Sequence, residues 1–173
     1  MRYGISAAPL KPGLLYGEPI QAAAVIQPSF SPPWLYAIAY RESIRGQLAG
    51  LWPSALTVVA PDNGCGICQV TPADWWEPWL HAAWNAIDWK DPEANAAFAV
   101  AYFLLPAQTF WATEVGLAGT DLLRAASAEY NCGRELALEG HAAGNVDLHT
   151  TGGDYAADVA LNYTRLVNGQ PPL

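Results

Sequence analysis

The segment from Ala94 to Leu105 contains no charged residue and, wound as a helix, is apolar around almost its whole circumference. A helix of that kind is stable in water only when other elements enclose it. Its most apolar stretch, Ala96 to Leu105, is about half the roughly 20 residues that a bilayer requires. The segment therefore predicts a buried central helix in a multi-helix domain, and no membrane span. Hydrophobic residues make up 52% of the chain and charged residues 14%, so a sizeable core can form and global disorder is excluded. A length of 173 residues suits one domain.

Prolines and glycines mark the remaining elements. Pro12, Gly13, Gly17, Pro19 and Pro28 break up residues 1–30, which read as an arm packed on the domain, with one helical turn around Gln21 to Ile26. Residues 31–173 form the domain proper. Ser31-Pro32-Pro33 is a cap followed by early prolines, opening a helix that runs through Glu42 and is ended by Gly46 and Gly50. Ala55–Ala60 and Ile67–Thr71 are apolar and rich in β-branched residues around Pro61-Asp62-Asn63-Gly64, which reads as one short hairpin. Thr71 to Asp74 caps a Trp-rich helix, and Asp91-Pro92-Glu93 caps the apolar one, which Pro106 kinks or ends. Thr120 caps a helix to Asn131 with Gly133 beyond its end. Gly140 to Gly153 reads as a loop, and Asp154 caps a last helix to about Val167. The fold class is mostly α, or α+β, with one short hairpin near the site.

The formal charge is −8. A nucleic-acid partner is not expected, because phosphate contacts need clustered Lys and Arg. No polybasic patch addresses an anionic membrane. Met1 to Tyr16 has no sustained apolar region before a small-residue cleavage site, so a secretory signal is not expected and synthesis in a cytosol is.

Glu42 is the first candidate for chemistry. At 100° per residue it shares a helix face with Leu35, Ile38 and Ala39. Burial there raises a carboxyl pKa, and a position near a helix C-terminus pushes the same way. A carboxylic acid kept protonated near neutral pH is what general-acid catalysis requires. The alternative is a structural ion pair with Arg41 or Arg45. Gly64 and Gly66 permit close approach of another backbone or a ligand.

Glu42-Ser43 is followed by Gly66-Ile67-Cys68-Gln69-Val70-Thr71-Pro72, then by Tyr130-Asn131-Cys132-Gly133 at a helix end. This series resembles the soluble lytic transglycosylase and goose-type lysozyme group. Asp91-Pro92-Glu93-Ala94-Asn95 with Ala101-Tyr102-Phe103-Leu104 is similar to that family's central helix, and His149-Thr150-Thr151 with Tyr155-Ala156 and Val159 to its closing segment. The likeness extends over residues 33–168. Cys68 stands where the family usually has a hydrophobic residue, often Met, and Cys132 where it has a small one. The stretch around Trp52-Pro53 is peculiar to this chain.

The resemblance implies a lysozyme-like domain that cleaves the β-1,4 bond between N-acetylmuramic acid and N-acetylglucosamine in peptidoglycan. Glu42 would be the acid/base and Ser43 would orient it. Gly66, Gln69 and Asn131 would shape the sugar cleft, and Tyr130 would hydrogen-bond near the carboxyl or an acyl-amino group. Hydrolysis needs a second carboxylate roughly 5 to 9.5 Å away. Asp62 is the candidate, its alternative role being that of a turn-former. With one carboxyl alone, Glu42 serves twice and the product is a 1,6-anhydro sugar. Trp75, Trp76, Trp79, Trp84 and Trp89 are core or stacking rings; Trp75 and Trp76 follow the Gln69 turn, so Trp75 is expected at the cleft.

The likeness brings Cys132 near the Gly66 turn, which leaves three readings of the cysteines. They are free buried thiols, a Cys65–Cys132 or Cys68–Cys132 disulfide, or a zinc site of Cys65, Cys68 and Cys132 with His141 or His149. Free thiols with no metal and no cofactor are the expectation. The expected partner is a peptidoglycan glycan strand, the expected state a monomer, and the expected setting a phage lysin made in host cytoplasm and acting on the wall. Rival readings are hydrolysis of another β-1,4 polymer and a non-catalytic sugar-binding or virion protein on the same fold.

Overall fold

The computed structural model describes residues 3–26 and 30–173. The molecule is mostly helical. In chain order the helices are α1 (Gly17–Ile26), α2 (Pro32–Ala39), α3 (Arg45–Leu48), α4 (Pro78–Asn85), α5 (Pro92–Ala99), α6 (Leu105–Thr113), α7 (Gly119–Cys132), α8 (Arg134–Ala142) and α9 (Tyr155–Val167). Two π-turns weld neighbours into longer helices. Tyr40–Ile44 joins α2 to α3, and Val100–Leu104 joins α5 to α6.

The enclosed helix is α2, not the α5 segment that the sequence singles out. All eight residues from Pro32 to Ala39 are buried. Only Asn95, Ala96, Phe98 and Ala99 are buried in α5. The small residues of α5 are apolar without being large enough to organise a core around themselves, whereas Trp34, Leu35, Tyr36 and Ile38 are. Full burial of side chains such as Leu35 or Ile38 contributes about 1.5–3 kcal/mol each. Helix α2 packs on α1 and α9, and α7 on α6, α8 and α9. Ser31 opens α2 as expected, accepting the Trp34 N–H and donating to the Ser6 carbonyl. The Trp34 indole N–H reaches Ser127 Oγ on α7 at 2.9 Å, which satisfies both groups in the interior.

The N-terminal segment holds more than one helical turn. Helix α1 packs on α2 and α5 and puts Ile20, Ala23 and Ala24 into the common core. Residues Gln27 to Ser29, including the break expected at Pro28, lie outside the described residues.

Asp91 caps α5 through the Glu93 N–H at 3.0 Å. Pro106 does not end the helix, which continues to Thr113. A π-turn leaves a carbonyl unpartnered where it rejoins the α-helix, and Pro106, with no N–H to give, occupies that junction. The resulting helix, Pro92–Thr113, spans 22 residues, and by length and composition alone it is long and apolar enough to cross a membrane. Here it packs against α1 and α7.

The expected hairpin is replaced by two isolated antiparallel bridges, Val59 with Cys65 and Cys65 with Val70. Left-handed conformations at Asn63, Gly66 and Gln69, with φ of 68°, 73° and 50°, curl the chain before strands can propagate. The Trp-rich helix begins at Pro78 rather than after Thr71. The loop expected from Gly140 begins later, because Arg134–Ala142 is helical. Gly133, with φ of 85°, ends α7 and starts α8. The cap of α9 is also displaced. Asp154 turns to Arg41 instead, and the buried Asp147 carboxylate accepts the N–H groups of Ala156 and Ala157 at 2.6 and 3.1 Å.

Candidate active site

Glu42 sits in the π-turn Tyr40–Ile44. Such wide turns present side chains off the regular helical register and leave carbonyls for other donors. The Ser43 carbonyl is taken by the Trp52 indole N–H at 3.0 Å. The Trp52 ring lies so close to Gly46 that a Cβ there would come within 2.0 Å of it. Ser43 itself does not face the cleft and does not orient the carboxyl. It is fully buried and its hydroxyl donates to the Ile67 carbonyl at 2.6 Å, fastening the helix to the following turn.

That turn, residues 64–70, is held from behind by Asn95. The Asn95 side chain accepts the Cys68 N–H at 2.9 Å and donates to the Cys65 carbonyl at 3.1 Å. Gly66 gives the Asn95 side chain its room, since a Cβ there would lie 2.7 Å from Asn95 Nδ2. The Gln69 amide donates to the Gly66 carbonyl at 2.7 Å, and the residue lines the cleft. Tyr130 donates to the Cys68 carbonyl at 2.6 Å, so its one proton supports the turn rather than the carboxyl, while its ring lines the cleft.

Helix α9 supplies the closest partner of the acid. Tyr155 is 2% exposed and donates to Glu42 Oε1 at 2.5 Å. Burial pushes the Glu42 carboxyl up to about 7; the Tyr155 hydrogen bond and the Arg41 charge pull it down, and the Asp62 charge pushes it up. The helix dipole expected at Glu42 is not a cause, because the helix runs on to Leu48. With Tyr155 donating to Oε1, the carboxyl proton belongs on Oε2. Tyr155→Phe removes a bond that favours the ionised form, so the Glu42 pKa rises. The expected result is a Glu42 titration displaced to higher pH, checked by carboxyl-resolved NMR across pH 5 to 9; an unmoved titration would mean that the phenol does not act on the acid.

Glu42 opens into a cleft of about 870 Å³. Asp62, Gln69, Trp75, Tyr130 and Asn131 line it with Glu42, so six of the expected site residues converge while Ser43 and Gly66 lie behind its wall. Asp62 is exposed and also forms its turn, accepting the Gly64 N–H at 3.2 Å. Asn131 accepts the Thr151 N–H at 2.7 Å, which leaves its amide N–H groups for a ligand. A third cleft carboxylate, Glu129, is spoken for by Trp111 at 2.8 Å and by Arg134 at 2.8 and 3.0 Å. Arg41 is likewise committed, to Asp154, Asp158 and the Thr151 carbonyl.

No protein-family model, curated protein or solved structure matches the chain.

The chemistry must be read from the groups themselves. A carboxyl raised to about 7 on the wall of a cleft, with one oxygen held by a phenol, is equipped both to give and to take a proton. The three cysteines are free, Cys68 fully buried and Cys132 on the cleft wall. Burial raises all three thiols above their ordinary range. Among the described residues no cluster of His, Cys, Asp and Glu is arranged for a metal. His141 stacks edge-on against Trp111 and His149 pairs with Glu139, so neither completes a cysteine set.

Tyr155, Asn95 and Trp52 carry roles that the sequence does not announce. Tyr155 lies in the quoted closing segment without an assigned function. Asn95 is detectable as the one amide in the apolar segment Ala94 to Leu105. Trp52 leaves no signal, since its partner is a backbone carbonyl, that of Ser43.

Proposed function

We propose that this chain is a lysozyme-like muramidase that cleaves the β-1,4 bond between N-acetylmuramic acid and N-acetylglucosamine by lytic transglycosylase chemistry. The observation that carries the reading is Glu42: a carboxyl raised to about 7 on the wall of a cleft that also presents Trp75, Gln69 and Asn131. The order of motifs along the chain supports it.

Glu42 gives its Oε2 proton to the bridging oxygen as the C1–O bond breaks. Tyr155 stabilises the carboxylate so formed. The C6 hydroxyl of the muramic residue then attacks C1, and Glu42 takes back a proton from it. The enzyme ends as it began, no water is consumed, and the product carries a 1,6-anhydro ring. The attacking hydroxyl is already tethered to the reacting sugar, so proximity replaces a second catalyst.

Hydrolysis with Asp62 as base is the second reading. Asp62 lines the same cleft and its charge acts on Glu42, which favours it. Its engagement with Gly64 and its exposure argue for a turn-former. Purified peptidoglycan digested with the protein and analysed by mass spectrometry separates the two. Anhydro-muramyl ends are expected, with Asp62→Asn retaining a substantial fraction of activity. Reducing ends, heavier by one water per cleavage, together with an inactive Asp62→Asn, would transfer the base role to Asp62. Binding without cleavage would make this a sugar-binding protein. The reading places the protein among phage lysins, made in host cytoplasm and acting as a monomer on the wall.

A further inference from the structure

We propose that Trp75, Tyr102 and Trp79 form an aromatic platform that carries the cleft outward and binds additional pyranose rings of a glycan strand on one side of the cleaved bond; this rests on the muramidase reading. These three are the large aromatic side chains most exposed among the described residues, at 77%, 37% and 60%, and the other exposed large hydrophobics are aliphatic. They are also neighbours. Trp75 and Tyr102 both line the cleft that holds Glu42. Trp79, outside it, is in ring contact with Tyr102 at 5.9 Å. The aromatic surface thus leaves the cleft by way of Tyr102.

The platform is backed by rigid core. Trp76, 4% exposed, stacks on Phe98 at 6.0 Å and meets Trp84 edge-on at 6.2 Å. Trp75 stands against it at 6.5 Å, and Tyr102 rests on Phe98 at 4.5 Å. Rings held in place before binding lose little freedom on binding. Their faces are apolar and uncharged, which suits the C–H faces of sugars, while the exposed Asp74 and Glu77 flank them as acceptors for hydroxyl groups. The ligand class is a β-1,4 strand of N-acetylated hexosamines.

The test titrates the 173-residue chain with N-acetyl-chitotriose and N-acetyl-chitohexaose by tryptophan fluorescence, with oligosaccharide length verified by mass spectrometry afterwards. The wild type is expected to bind the hexamer more tightly than the trimer, and Trp79→Ala to lower the hexamer-to-trimer affinity ratio about tenfold. Leu161→Ala, an exposed aliphatic position on α9, should leave the ratio unchanged. Equal affinity for both lengths in the wild type, no binding of either, or an unaltered ratio in Trp79→Ala would overturn the platform. If peptidoglycan is cleaved and the ratio is unaltered, the platform fails and the muramidase reading stands. A reduced ratio without any cleavage leaves the platform and removes the muramidase.

Discussion

Glu42→Gln is expected to lower peptidoglycan cleavage by about 10²–10⁴-fold, the contribution of a positioned general acid, while making the folded protein more stable above pH 7. The second half follows from linkage. The carboxyl ionises near 4.5 in the open chain and near 7 in the folded one. Below 4.5 both states hold the proton and nothing changes with pH. Between 4.5 and 7 the unfolded chain releases it first, so folded stability falls as pH rises. Above 7 the loss is complete, on the order of 3 kcal/mol, less whatever solvent contact Glu42 retains. An amide has no such dependence. Melting curves of both proteins at pH 4 and pH 8 should therefore diverge only at the higher pH, the variant being the more stable. Retained cleavage by the purified variant would remove Glu42 as the acid, and coincident melting at both pH values would remove burial as the cause of its raised pKa.

Gly66→Ala should be strongly damaging. A Cβ there would lie 2.6 Å from the Trp89 carbonyl oxygen and 2.7 Å from Asn95 Nδ2, with a backbone φ of +73° that an L side chain resists. Overlap with backbone cannot be relieved by rotating a side chain, and displacing Asn95 releases the Cys68 N–H and the Cys65 carbonyl together. Strain and overpacking sum to about 3 kcal/mol, or a melting temperature lower by roughly 10 °C in a chain of this size. Activity should fall further than stability, because Gln69 and Tyr130 are both fastened to this turn. A melting temperature within two degrees of wild type would mean that the turn accommodates the methyl and is not the rigid support described.

The residues at the cleft were legible in the sequence to a greater degree than the reasons for their placement. Glu42 is where a raised acid was expected, yet the face argument behind it does not hold, since all of α2 is buried and Glu42 lies in a turn that breaks the 100° step. Helix existence was readable from caps at α2 and α5; α7 and α9 are present as expected, but Thr120 lies inside α7, whose N-cap is Ala118, and Asp154 makes no side-chain capping bond. The π-turns were not readable, because they depend on which carbonyls find partners elsewhere, as the Ser43 carbonyl finds Trp52. The hairpin was misread because β-branched residues flank a turn whose positive-φ positions prevent pairing. Asp154 looked like a cap locally, but the site it reaches is Arg41, and the capping carboxylate, Asp147, comes from seven residues earlier than Asp154 by way of the loop. Contacts of that sort are tertiary, and no local pattern encodes them.

On the muramidase reading, the π-turn at Tyr40–Ile44 sets durability against chemistry. It is an α-helix with one residue too many, and deleting that residue would let α2 and α3 close into uninterrupted turns with every internal bond made. Such a deletion would also rotate one side of the junction by roughly 100° relative to the other, carrying Glu42 off Tyr155 or Ser43 off Ile67. A population of variants selected only for resistance to heat would find this shorter helix advantageous and would arrive at a sturdier, silent protein. Selection that demands cleavage would keep the extra residue, and the length of this one segment would then serve as a record of which pressure had acted.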